Sequence, residues 1–68
     1  MEIRKRLLSP REVEVLSYVS NGFGYKEISL ELKISERTVQ THAERIKIKL
    51  DAKNITNAVK IAINKELI

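Results

Sequence analysis

The chain of 68 residues reads as an all-α fold of four short helices. Three observations predict this. Apolar residues recur at spacings of three and four, capping residues stand where those patterns begin, and no two-residue alternation persists long enough for a strand. The length holds one small domain, and burial in a domain of this size leaves only a marginal stability surplus.

The first helix should begin at Pro10, with Ser9 as its N-cap and Glu12 completing a capping box. Val13, Leu16 and Val19 give its expected buried stripe, widened by Val15 and Tyr18, and Asn21-Gly22 supplies a left-handed stop. After the loop Gly22-Phe23-Gly24, a second helix is expected over Tyr25–Leu32. There Ile28 and Leu32 lie one turn apart, and Ser29 is small enough for another helix to approach closely. Lys33 and Ile34 make the turn. Ser35 then caps a third helix, with Glu36 in the first turn where the helix dipole favours an acid. Val39, Ala43, Ile46 and Leu50 share its core face, opposite Arg37, Gln40, Thr41, Glu44 and, further along, Ile48, with Arg45 and Lys49 toward one edge. Asn54 caps a fourth helix whose narrow stripe is Ile55, Ala58, Val59 and Ala62, with Ile61 and Ile63 outside it. Small Ala residues permit close helix crossing. This helix is therefore read as presenting a patch to a partner, the alternative being that it closes the core on both flanks.

Thirteen Lys and Arg against nine Asp and Glu give a net charge of +4, distributed unevenly. Residues 7–32 sum to −2 and residues 33–53 to +3, so one part of the fold is a cationic surface of the kind that draws polyanions. Cys is absent and His42 is the only histidine, which argues against a structural zinc site. No apolar run approaches the roughly 20 residues that span a bilayer, and Met1–Leu8 lacks the apolar stretch of a signal peptide. A cytoplasmic protein without membrane contact is expected. Nothing pairs a nucleophile with a base, clusters carboxylates or cradles phosphate with glycines, so neither an enzyme nor a cofactor is expected.

Lys26 to Leu50, KEISLELKISERTVQTHAERIKIKL, joins a short helix to a longer one through Leu32-Lys33-Ile34-Ser35. That is the sequence form of a helix-turn-helix, whose usual work is reading DNA. Around it stand Leu8-Ser9-Pro10-Arg11-Glu12, Val15-Leu16, Gly22, Lys26-Glu27-Ile28, Leu32, Ile34-Ser35, Thr38-Val39, His42, Ile46, Lys49-Leu50 and Ala58-Val59. With these residues at fixed offsets, residues 8–68 resemble the DNA-binding domain of LuxR-type regulators, a family that includes the output domains of many bacterial response regulators. The resemblance implies a four-helix fold with the third helix in the major groove and the fourth in a two-fold dimer contact. Double-stranded DNA and a second copy of the chain are the partners it implies, with RNA polymerase or an upstream sensory domain as further ones. Residues 1–7 are then an arm along DNA or, preferably, the end of a linker.

Gln40, Thr41, Glu44 and Arg45 are the candidate base readers, and Lys26, Thr38, His42 and Lys49 the candidate phosphate contacts. The stripe Ile55, Ala58, Val59 and Ala62 is the candidate dimer surface. Each has a plainer alternative. The Thr38 hydroxyl also suits a local cap, Lys49 a solvated position favoured by the helix carboxyl end, Lys26 an exposed charge, and His42 a packed, hydrogen-bonded core flank. Gln40 replaces a frequent Lys of the family, Glu44 puts an acid on the groove face, Ile55 replaces a frequent Arg, and Lys47 and Ile48 exchange the usual apolar and polar order. Glu accepts from cytosine and Gln pairs with adenine, so Gln40 and Glu44 would define an unusual target. Two competing functions are a sigma-factor-like promoter reader and a helix-turn-helix interaction module that has lost DNA binding, to which Glu44 and Ile48 would offer a partner surface.

Overall fold

Capping side chains set where the helices start. In the structure, a computed structural model that describes residues 7–68, the chain forms α1 (Pro10–Ser20), α2 (Tyr25–Leu32), α3 (Glu36–Leu50) and α4 (Ile55–Asn64). The expected arm or linker over residues 1–7 lies, apart from Leu7, outside the described residues. Ser9 Oγ accepts the Glu12 N–H at 3.1 Å while Glu12 Oε1 accepts the Ser9 N–H at 2.8 Å, the full capping box. Ser35 Oγ accepts from the Thr38 N–H at 3.0 Å, and Asn54 Oδ1 from the Asn57 N–H at 2.7 Å. At α2 the cap is Gly24, which has no side chain to offer; Glu27 instead accepts the Gly24 N–H at 2.8 Å.

All four helices end by one device. The N–H of the second or third residue past the helix reaches back five residues: Phe23 to Tyr18 O, Ile34 to Ser29 O, Ala52 to Lys47 O and Leu67 to Ala62 O, at 2.8–3.0 Å. The reversal requires a left-handed residue just before that donor. Gly22 supplies it after α1 at φ 90°, as the sequence implied, but Lys33 (58°), Asp51 (54°) and Glu66 (59°) supply it elsewhere. Each apolar donor residue then folds back onto the core; after α1 the Tyr18 and Phe23 rings meet at 4.9 Å. A side chain in the left-handed region costs about 1–2 kcal/mol, partly offset in glycine by lost chain entropy. Lys33→Gly and Asp51→Gly should therefore each stabilise the fold by about 0.5–1 kcal/mol, read as a higher urea midpoint. An unchanged midpoint in both would mean that the side chains at these turns repay the strain.

The core sits around α3, which packs against all three other helices, while α2 touches only α1 and α3. Val39, Ala43, Ile46 and Leu50 are buried, as their spacing predicts, and meet Val15 and Leu16 of α1, Ile28 of α2, and Ala58 and Ala62 of α4. Ser29 is buried too, its hydroxyl turned back onto Lys26 O at 2.7 Å, so that α2 can lie close to its neighbours. Leu8 and Leu67 close the end where the described chain begins and finishes.

Two expectations need correction. Helix α1 is rotated from the anticipated Val13–Leu16–Val19 stripe: Val15 and Leu16 are fully buried, whereas Val13, Tyr18 and Val19 are half-buried. The cause is Glu12, which occupies the inner face at 2% exposure because it caps the helix and meets a cation on α3. On α4, Ala58 and Ala62 have no accessible surface; they pack into the chain's own core and cannot touch another copy in this fold. Ile61, placed outside the stripe, also packs half-buried against that core. Among the described residues, no helix is long and apolar enough to cross a membrane.

Candidate nucleic-acid interface

Once one face of α3 is buried, the residues half a turn away must project outward. Arg37, Thr38, Gln40, Thr41, Glu44, Arg45 and Ile48 are all exposed, Ile48 to 77%. Residues 37, 41, 44 and 48 repeat at four, three and four, so they form one row along the helix. A 15-residue helix is about 22 Å long. Tyr25, at the start of α2, stands beside Arg37, Gln40, Thr41, Glu44 and Lys47 in one shallow concavity.

Several of these side chains are already engaged. Thr41 Oγ1 donates to Arg37 O at 3.0 Å, which leaves its lone pairs to face outward. Thr38 shares a 2.9 Å hydrogen bond with Ser35 Oγ within the α3 cap, so the plainer cap role is present. Glu44 is held by Lys47, Oε2 to Nζ 2.9 Å, one turn further along. The hydrogen bond to Glu44 raises the Lys47 ammonium above the usual lysine range, outweighing a desolvation effect. The acid on the groove face thus carries its own counter-charge. Gln40 engages no other side chain among the described residues.

Lys49 has an intramolecular partner that the sequence reading missed: its Nζ lies 2.8 Å from Oε1 of Glu12, 37 residues away. The Glu12 side chain is 3% exposed and that of Lys49 41%, so the pair has a buried acid and a solvent-facing base. Burial pushes the Glu12 carboxyl up, but the Lys49 ammonium and the Ser9 cap bonds overcome it and hold the group below its ordinary range. The burial of Glu12, though not its partner, had a signal in the sequence: residues 12, 15, 16 and 19 share one helical face. His42 is half-buried, with Nδ1 enclosed and without a hydrogen-bond partner, unlike the hydrogen-bonded flank expected. Lys26 is exposed at the first turn of α2.

On α4, Ile55 and Val59 are half-buried and Ile63 is 55% exposed. These three follow one another at four-residue spacing, which makes an apolar row beside the buried Ala58 and Ala62.

Residues 6–62 match the pattern of the bacterial regulatory proteins of the luxR family. The chain belongs to that family. As a luxR-family domain it is similar to the oxygen regulatory protein NreC of Staphylococcus carnosus, 40% identical over 63 residues that are 93% of this chain and 29% of NreC. NreC of Staphylococcus haemolyticus is 38% identical over the same shares. The transcriptional activator protein CarR of Pectobacterium carotovorum is 48% identical over 64 residues, 94% of this chain and 26% of CarR. This luxR-family chain therefore spans less than a third of the length of these relatives.

Proposed function

We propose that this luxR-family domain is a sequence-specific reader of double-stranded DNA in a cytoplasmic transcriptional regulator, with α3 in the major groove and two copies joined through α4. The observation that carries the reading is the division of α3 into an apolar inner face and an outer face that is polar through Arg37, Gln40, Thr41 and Glu44, with the exposed Ile48 beyond them, on a segment of net positive charge. Relatives that are named as regulators support the transcriptional role.

In this reading Gln40, Thr41, Glu44 and Arg45 contact base edges, while Lys26, Thr38, His42 and Lys49 touch phosphates. Lys49 has two further N–H donors for a phosphate while one holds Glu12. For α4, the burial of Ala58 and Ala62 leaves Ile55, Val59 and Ile63 as the contact row.

Selection from randomised duplex DNA tests the reading, with Lys26→Ala and Gln40→Ala as the informative pair. Lys49 is a poor phosphate probe because its removal strands Glu12. Lys26→Ala should weaken binding to every sequence and reduce the salt slope by about one counterion. Gln40→Ala should instead cost about 1–3 kcal/mol at one base position. Identical, sequence-independent losses in both would refute this division of roles, and no duplex affinity in the parent at low salt would refute DNA reading itself.

A further inference from the structure

A free carboxylate on a groove-facing helix is repelled by phosphates on both sides. The Glu44 charge, however, is bound at 2.9 Å by Lys47 on the same helix, and the Lys47 side chain is only 26% exposed. It lies in the concavity with Tyr25, Arg37, Gln40 and Thr41. Together the two side chains offer an acceptor and a donor about one hydrogen-bond length apart, with valence to spare on each. Glu44 has its second oxygen, and the Lys47 ammonium has two N–H groups not directed at Glu44.

The major-groove edge of a base pair presents the complementary arrangement. In a G·C pair the cytosine N4 amine and the guanine O6 are themselves hydrogen-bonded, hence about 2.9 Å apart, and guanine N7 adds a second acceptor beside O6. We propose that Glu44 and Lys47 act as one unit that reads a single G·C base pair, Glu44 accepting from cytosine N4 and Lys47 donating to guanine O6 and N7. The inference rests on the DNA reading proposed above and assigns Lys47 a specificity role. An A·T pair also sets an amine beside a carbonyl. It fits less well, because the adenine N7 lies on the far side of its amine from thymine O4, and O4 has the thymine methyl at its flank, which takes solvation from an ammonium. Lys47 alone would sweep freely among phosphates; paired, it is held over the same base pair as Glu44.

Randomised-duplex selection on the parent, Glu44→Ala, Lys47→Ala, the double variant and Lys47→Arg decides the matter, with melting curves showing that each is folded. In the parent one position of each half-site should be fixed as G·C. Either alanine variant should reduce that preference by about 5- to 100-fold at the same position, the double variant should go no further, and Lys47→Arg should retain it, since a guanidinium offers the same two donors. Relaxation of different positions by the two single variants would overturn the proposal. So would a fixed A·T, or an equal loss of affinity for all sequences on Lys47→Ala with a flatter salt dependence. A parent motif untouched by any variant defeats this inference alone, whereas a parent that enriches nothing defeats the DNA reading along with it.

Discussion

Glu12→Ala is expected to cost this domain about 2–4 kcal/mol, the sum expected for losing a helix cap and a hydrogen bond between charged groups. In a chain this small that corresponds to a fall in melting temperature of more than about 10 °C. Glu12 does three things with one carboxylate: it accepts the Ser9 N–H that would otherwise be orphaned, it fills the inner face of α1, and it binds the Lys49 ammonium of α3. Glu12→Gln separates these roles. The amide oxygen still accepts from Ser9 and fills the volume, so the loss should be about 1–2 kcal/mol, attributable to the ion pair. Acid titration gives the sign. The folded carboxyl lies below its ordinary value of 4.5, so its contribution is complete above that value and is lost as pH falls through the lower folded one. The stability gap between parent and Glu12→Gln should therefore be widest near neutrality and narrow on acidification. A gap that is constant with pH would show that Lys49 contributes nothing to the fold.

The effect reaches the proposed reading helix because Lys49 sits near the carboxyl end of α3 and Glu12 near the amino end of α1. Among the described residues, with the pair broken, the anchoring of α3 to α1 rests on apolar contacts.

Local signals made much of this legible in the sequence. The start of α1 and the caps at Ser9, Ser35 and Asn54 are set by residues within three positions of each other, so a linear reading suffices. The inner face of α3 followed from four apolar residues in strict helical period, and with it the outer face, because a helix has only two sides to divide. What required the structure was tertiary. No pattern within α1 or α3 joins Glu12 to Lys49 across 37 residues. The stripe of α4 was correctly seen as apolar, yet periodicity does not say whether such a stripe meets its own core or a second copy, and Ala58 and Ala62 meet the core. Lys47 was passed over as an exchange of polar and apolar order, although a Glu and a Lys three residues apart on one helix are natural partners.

Ile63→Asp carries the other large effect, because two half-sites bound by linked copies gain about 10²–10⁴ in affinity over one half-site without any new base contact. Ile63 is the exposed end of the Ile55–Val59–Ile63 row, an apolar row of α4 with surface left after the alanines turn inward. A carboxylate there costs the isolated fold little, within about 0.5 kcal/mol for an exposed site. Across a two-fold axis, however, the same substitution sets two like charges against each other in an apolar contact, which desolvation makes strongly unfavourable. The variant should melt with the parent and sediment as one copy. It should bind a single half-site with the parent's affinity, and a paired site nearly as weakly as a single one. Undiminished binding of two copies to a paired site would move the dimer contact away from this face of α4.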